Sequence, residues 1–287
     1  MSSKEDVVKR ELAKGPIKEP VAFKTATRPE SKKPESILII MPKDEELFIA
    51  ALSTVQRYQQ DMKDREQHQR YYICSENKDL EFLLDCLYDH LKIDREEIGN
   101  HRFFDLVFEF DEVTAYSLSE STERHAATAF GIQIGSEPCS LPDLSLLNWP
   151  EVDSDLLLCN NIPQKLRDEV IEIINKRIPG STILIENPPE HCKPLDRFNL
   201  VGRSKVVIGV RSFETYLACC HERKGVVEIY PPGVHRKWLS KWTHKKYQMI
   251  VGTPEAVSAE LVWRGMEALW RIPTYQVPGV SQATVQR

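Results

Sequence analysis

The chain has little that would place it in a membrane or cross-link it outside the cell. No apolar run approaches the roughly 18 to 20 residues that a membrane-spanning helix needs, and the start of the chain has no signal-peptide stretch. Its seven cysteines are an odd number at irregular spacings, without a CxxC pair. This usage is typical of a reducing compartment. The sequence therefore predicts a cytoplasmic protein without a membrane span.

Motifs that define several large enzyme classes are also absent. The sequence contains no GxxxxGK[ST], HExxH, GxSxG or EF-hand pattern. P-loop kinases, zincins and α/β-hydrolases thereby lose their main sequence support. The cysteine spacing does not match a structural zinc site. We accordingly expect neither a metal ion nor a cofactor.

Residues 1–36 differ in composition from the rest of the chain. They hold nine Lys/Arg against six Asp/Glu, an excess of three positive charges in a chain of net charge −5, so the remainder carries −8. A body of that sign is not a general nucleic-acid binder. The segment has four prolines and few apolar residues, which predicts a disordered charged tail. Such a tail either stays solvated or docks on a protein partner.

From Ile37 onward, short apolar runs alternate with helical patterns. This alternation is typical of βαβ units and a parallel sheet. A Pro-, Ser- and Asp-rich stretch around residue 150 predicts a linker, after which the pattern restarts. The sequence therefore predicts an α/β protein with two Rossmann-like domains, at 37–150 and 151–287. The predicted strands contain ILIIM, YYICS, FDLVFEF, DLLLC, STILIEN, SKVVIGV and VVEIY, and the predicted helices contain LFIAALSTVQRYQQDM, LEFLLDCLYDHL, residues 119–132, KLRDEVIEIINKRI, FETYLACCHERKG and PEAVSAELVWRGMEALWRI.

Ligands of open parallel sheets bind beyond the carboxyl ends of the strands, and three loops qualify. The first follows ILIIM and contains consecutive acids. Asp44 or Glu45 is a candidate general base toward a hydroxyl group, if its pKa is tuned by the surroundings. The alternative is that these acids simply favour the first turn of the following helix.

The second loop is GVRSFET, between a buried strand and a helix. Backbone N–H groups, side-chain hydroxyls and a guanidinium there form a candidate pyrophosphate site. Capping of the helix by Ser212 is the other interpretation, and one segment can do both. The residues of this candidate site are Gly209, Arg211, Ser212, Glu214 and Thr215.

The third loop, PPGVHRKWLSKW, follows the strand VVEIY and combines cations with two tryptophans. Aromatic planes beside cations suit a nucleotide base and its phosphates. The alternative is a surface loop that its tryptophans anchor to the core. The candidate binding residues here are Pro232, Gly233, His235 and Lys237.

Together these segments resemble glycosyltransferase family 9, the ADP-heptose lipopolysaccharide heptosyltransferases of the GT-B type. ILIIMPKDEELFIAALSTVQRY resembles the opening strand, loop and helix of that family, and IGVRSFETYLACCHERKGVVEIYPPG its nucleotide-binding strand, helix and strand. Where the family usually carries Asp and His at the second helix start, this chain has Arg211 and Tyr216.

The resemblance implies a metal-independent glycosyltransferase that moves a sugar from a nucleotide diphosphate to an acceptor that the sequence does not name. The GVRSFET and PPGVHRKW segments would hold the nucleotide sugar, with Asp44 or Glu45 as base. The alternative is a catalytically inactive relative of the same fold that serves as a binding or assembly protein. Fold resemblance does not separate these two interpretations.

Overall fold

A computed structural model describes residues 36–67, 69–98, 103–111, 127–132, 141–187, 192–221, 224–230 and 247–270. The predicted N-terminal tail and most of the helix predicted at 119–132 lie outside this range. So do four of the candidate binding residues: Pro232, Gly233, His235 and Lys237.

Four parallel strands form the first sheet, in the order β3-β2-β1-β4. β1 is central and its apolar run from Ile37 to Met41 is fully buried, as expected of a parallel strand covered on both faces. β2 and β3 lie on one side of β1 and β4 on the other, so a crevice opens at the carboxyl end of β1. The strands are β1 Ser36–Met41, β2 Arg70–Ser75, β3 His90–Lys92 and β4 Leu106–Glu109.

The second sheet has five parallel strands, in the order β6-β5-β7-β8-β9. Here the strand order reverses between β5 and β7, which again marks a crevice beyond their carboxyl ends. Each sheet lies on one side of residue 150, and the architecture is that of a GT-B-like α/β fold. The strands are β5 Ser154–Leu158, β6 Ile183–Ile185, β7 Ser204–Val210, β8 Gly225–Tyr230 and β9 Tyr247–Val251.

The helices begin where the chain leaves the carboxyl ends of the strands. Asp44 caps the first helix, since its Oδ1 accepts a hydrogen bond of 2.9 Å from the backbone N–H of Leu47. In the second helix, Leu166, Val170 and Ile174 are buried at four-residue spacing. The α-helices are α1 Glu45–Asp64, α2 Gln164–Arg177, α3 Pro194–Arg203, α4 Phe213–Cys219 and α5 Ala259–Trp270, and two 3-10 helices span Lys78–Cys86 and Arg95–Ile98.

One cluster of buried side chains is shared by the two halves. It runs from Ile37 and Phe48 in the first half to Phe198 in α3 and Tyr216 in α4. A second cluster packs the other face of the second sheet against α2 and α5. The shared cluster places the start of α1 beside the starts of α3 and α4.

Four details differ from the predictions. LEFLLDCLYDHL forms a 3-10 helix followed by β3 rather than one α-helix. α3 occupies the region where the sequence indicated no element, and β9 was not predicted. The last helix begins at Ala259, five residues after Pro254, because residues 254–256 form a turn.

No described helix is long and apolar enough to cross a membrane. The six cysteines among the described residues are free thiols, and all but Cys220 are buried.

Gly209, near the end of β7, is required for close packing rather than for a left-handed backbone. A Cβ at this position would lie 2.8 Å from the Cys159 Sγ and 3.1 Å from the Thr215 Cγ2. We predict that Gly209→Ala lowers the free energy of unfolding by about 1–3 kcal/mol through overpacking. Urea denaturation measures the free energy of unfolding. Adding Cys159→Ala to the Gly209→Ala variant should restore part of the lost stability. An unchanged midpoint for Gly209→Ala would contradict the assignment.

Candidate functional site

Charged side chains from both halves meet at the carboxyl edges of the two sheets. Glu45 and Glu46 open α1, just beyond β1, while Arg197 lies in α3 and Arg211 directly follows β7. Each arginine forms an ion pair with one of these glutamates. The crevice that the topology predicts is therefore spanned by these two ion pairs, and Lys193, just before α3, forms another ion pair with Asp79 of the first half.

Arg197 holds two carboxylates at once. Its Nη2 donates to Glu45, and its Nη1 donates to Glu214 Oε1 over 2.8 Å. The guanidinium also stacks on Phe213, with its carbon 4.9 Å from the ring centroid. The side chains of Arg197 and Glu214 are only 10% and 4% exposed, whereas that of Glu45 is 33% exposed. Buried charges of this kind require their partners.

Glu186 lies next to Glu214 at the carboxyl edge of the second sheet. One of its carboxyl oxygens accepts a 3.0 Å hydrogen bond from the backbone N–H of Asn160. Burial, followed by the adjacent Glu214 carboxylate, raises the pKa of Glu186 to about 8. These surroundings favour the protonated form of Glu186 at neutral pH.

Among the residues that the structure describes, Cys159, Glu186 and Glu214 form a group that could hold a metal ion. Their ligand atoms lie within 4.8 Å of one another, and all three residues are buried. A thiolate with two carboxylates suits a cation such as Zn²⁺. Burial raises the pKa of the Cys159 thiol well above its usual value, which favours the protonated group. The expectation that no metal is needed stays a prediction.

The second ion pair joins Arg211 to Glu46. Arg211 Nε donates to Glu46 Oε2 over 3.0 Å, and its Nη1 donates to the Tyr230 hydroxyl over 3.3 Å. Burial raises the pKa of Glu46, although Arg211 opposes this effect. A carboxylate with a raised pKa is better matched to proton transfer near neutral pH than an ordinary one.

A buried carboxyl of β8 supports the start of α4 from beneath. Thr215 donates to Glu228 Oε1 over 2.8 Å, and the Tyr247 hydroxyl donates to the other oxygen. Burial raises the pKa of Glu228 despite these bonds. In turn, Thr215 Oγ1 accepts a 3.0 Å hydrogen bond from the Ser212 backbone N–H.

The structure brings together most of the predicted site residues that it describes. Asp44 caps α1, Glu45 and Glu214 share Arg197, and Arg211 binds Glu46. Gly209 packs on Cys159, and Thr215 binds Glu228. The Ser212 Oγ is buried and has no hydrogen-bond partner among the described residues. Their roles in binding or catalysis stay predictions.

The sequence did not indicate Arg197, Glu186 or Glu228. Arg197 belongs to α3, which was not recognised as a helix. Glu186 and Glu228 end or interrupt apolar strands, at positions where a strand pattern gives no reason to expect a charge. A buried acid inside or just after an apolar run is the signal that would have identified both.

The two parallel α/β sheets, one in each half of the chain, fit a GT-B-like fold. Among solved structures, the chain is similar to a glycosyl transferase family 9 protein from Veillonella parvula, with a TM-score of 0.55 and 9% identity over 82% of this chain and 97% of that one. It is also similar to E. coli heptosyltransferase WaaC with ADP-2-deoxy-2-fluoro heptose, with a TM-score of 0.54 and 11% identity over 81% and 99% of the two chains. At such identities the likeness shows a common fold.

A third similar structure is the iron-containing dodecameric glycosyltransferase TibC from enterotoxigenic E. coli. The TM-score is 0.49 at 14% identity, and the match covers 69% of this chain and 59% of that one. No protein-family model and no curated protein match the sequence.

The raised pKa of Glu186 gives a testable pH dependence. Because the pKa of Glu186 is raised to about 8 in the folded protein from 4.5, the folded state binds more protons than the unfolded state between these values. Stability should therefore fall as pH rises through this window, by up to about 1.4 kcal/mol per pH unit.

Glu186→Gln isolates this effect, because the amide can accept from Asn160 and donate to Glu214 without titrating. We predict that the variant matches the natural protein at low pH and is more stable at pH 9. Chemical denaturation across the pH range measures the difference. Parallel stability curves for the two proteins would contradict the raised pKa of Glu186.

The two ion pairs of Arg197 differ in burial, so removing them should lower the free energy of unfolding by different amounts. Arg197→Met leaves Glu214 without its buried partner and should cost about 3–5 kcal/mol. Glu45→Gln should cost about 1 kcal/mol or less, because Glu45 is partly exposed. A double-mutant cycle by urea denaturation measures the coupling. Equal costs for the two single variants would contradict this arrangement.

Proposed function

We propose that the protein is a glycosyltransferase that takes a sugar from a nucleotide diphosphate and transfers it to a hydroxyl acceptor. The observation that carries this proposal is the convergence of Arg197 and Arg211 with the α1 acids at the carboxyl edges of two parallel sheets. Ligands of such sheets bind at this edge. The shared fold with glycosyltransferases supports the choice of reaction.

In this proposal Arg211 is the main ligand of the diphosphate. A guanidinium binds phosphate oxygens in a bidentate manner. To reach them, Arg211 exchanges its bond to Glu46 for bonds to the ligand. The Ser212 hydroxyl, buried beside it without a partner among the described residues, donates to the same group. Gly209, Glu214 and Thr215 hold this segment in place.

We further propose that the loop after β8 completes the donor site. Cations there suit the phosphates, and the aromatic planes of its tryptophans suit the base. The residues assigned to this role are Pro232, Gly233, His235 and Lys237.

We assign the role of base to Glu45, because it lies beside Arg197 in the crevice. Asp44 is the other candidate, and one of its oxygens caps α1. The Glu45 Oε2 takes the proton of the acceptor hydroxyl, whose oxygen then bonds to the anomeric carbon. The bond from that carbon to the diphosphate breaks, and its electron pair stays on the departing oxygen. Arg211 stabilises the resulting charge, so a metal ion is not required for this step.

Nucleotide binding is the first property to test, by thermal shift with ADP, UDP and GDP. The E. coli heptosyltransferase was solved with ADP, which makes ADP the first candidate. A ligand at about 100 times its Kd stabilises the native state by about 2.7 kcal/mol. We predict a concentration-dependent rise in Tm for at least one of the three nucleotides. No shift at millimolar concentrations would contradict the proposal and favour a non-catalytic protein of this fold.

Two variants locate the site if a shift is seen. Arg211→Ala should abolish it, and Glu46→Gln should strengthen binding because the competing carboxylate is gone. A purely structural role for the pair would make both variants weaker binders or leave both unchanged. Arg264→Ala, an exposed arginine of α5, is the matched control.

A further inference from the structure

A cavity of about 290 Å³ lies at the opposite edge of the first sheet from the charged crevice. It is formed by the last turns of α1, the start of β2 and the chain before β3. α1 has 20 residues, so at 1.5 Å per residue its two ends are about 30 Å apart. The cavity is therefore separate from the proposed donor site. Its lining residues are Gln59, Gln60, Lys63, Glu66, Gln67, Gln69, Tyr71, Tyr88 and Asp89.

Gln59 supplies a buried acceptor to this cavity. The residue is 6% exposed, and its Nε2 donates a 2.8 Å hydrogen bond to the Tyr88 carbonyl. A carbonyl only accepts, so the amide orientation is fixed by this bond. The Gln59 Oε1 is then left buried with no partner among the described residues. Leaving such an atom unsatisfied is costly, and a ligand with a donor group would remove the cost.

Gln69 lines the cavity with a second amide. Its Oε1 accepts a 3.0 Å hydrogen bond from the Tyr71 hydroxyl, and the amide also interacts with the Tyr58 hydroxyl. The buried Nε2 has no well-formed hydrogen bond among the described residues. The Gln59 oxygen is therefore the stronger indication that a ligand binds here.

The charges and rings around the cavity restrict the ligand class. Lys63 is outnumbered by Glu66 and Asp89, which disfavours phosphates and other anions. Tyr88, 56% exposed, provides an aromatic surface. The volume is at the low end for small-molecule sites, which span about 300–1,000 Å³.

We propose that this cavity binds a neutral saccharide of one or two rings. A sugar hydroxyl both donates and accepts, so one hydroxyl can satisfy the Gln59 oxygen while a neighbouring hydroxyl contacts the Gln69 amide. The apolar face of a sugar ring packs on tyrosine. The site is independent of the proposed transferase activity and would bind a glycan whether or not the crevice is catalytic.

The test is saturation-transfer difference NMR on the full chain with glucose, galactose, mannose, N-acetylglucosamine and maltose. We expect saturation of at least one of these sugars with millimolar affinity. For a sugar that binds, the charged analogue, such as glucose 6-phosphate for glucose, should bind more weakly. No saturation of any sugar, or tighter binding of the phosphorylated form, would overturn the proposal.

Variants place the sugar in this cavity rather than in the crevice. Gln59→Leu and Tyr88→Ala should each reduce affinity at least tenfold, and Phe103→Ala, an exposed aromatic outside the cavity, should not. If Gln59→Leu does not fold, Tyr88→Ala still tests the site, because Tyr88 is largely exposed and its replacement should not prevent folding. Tyr88→Ala should leave any nucleotide-induced Tm shift unchanged. Retained sugar binding in Tyr88→Ala would overturn this site without affecting the proposed function.

Discussion

The guanidinium of Arg197 connects three helix starts at the edge where both sheets end. It binds Glu45 at the start of α1 and Glu214 near the start of α4, and it lies in α3 itself. The ion pair between Arg197 and Glu214 is almost wholly buried. Removing either charge would therefore leave the other one buried without a partner. The position of α1 relative to the second sheet depends on this contact together with the apolar cluster beneath it.

The charged crevice is rich in acids as well as in arginines. Glu46, Glu186 and Glu228 all have raised pKa values because of burial. Perturbed carboxyl groups of this kind cluster at functional sites, although structural networks produce them too. Here Glu46 forms an ion pair with Arg211. If Arg211 binds a diphosphate as proposed, the ligand would compete with Glu46 for this guanidinium.

The sequence predicted the parts of the fold that rest on continuous apolar runs. ILIIM and SKVVIGV read as buried parallel strands and are β1 and β7. α3 was missed because PLDRFNLVGR is short and contains Pro and Gly, and β9 because YQMIV is only partly buried. A 3-10 helix stands in place of the second predicted helix, because the apolar pattern does not distinguish a 3-10 helix from an α-helix.

The site was less predictable than the fold, because its contacts join distant parts of the chain. Glu45 and Arg197 are 152 residues apart, and Glu46 and Arg211 are 165 apart. The sequence identified the loops that carry Glu45 and Arg211 from the rule that ligands bind beyond strand ends. It did not show that these side chains bind across the two halves, since no local pattern specifies a partner at that separation.

The most direct measurement is an experimental structure of the protein with a bound nucleoside diphosphate. We predict that the diphosphate lies at the start of α4. The Arg211 guanidinium should have turned from Glu46 to the phosphate oxygens, and the Ser212 hydroxyl should donate a hydrogen bond to them. A diphosphate bound elsewhere, with the Arg211 to Glu46 pair intact, would contradict it.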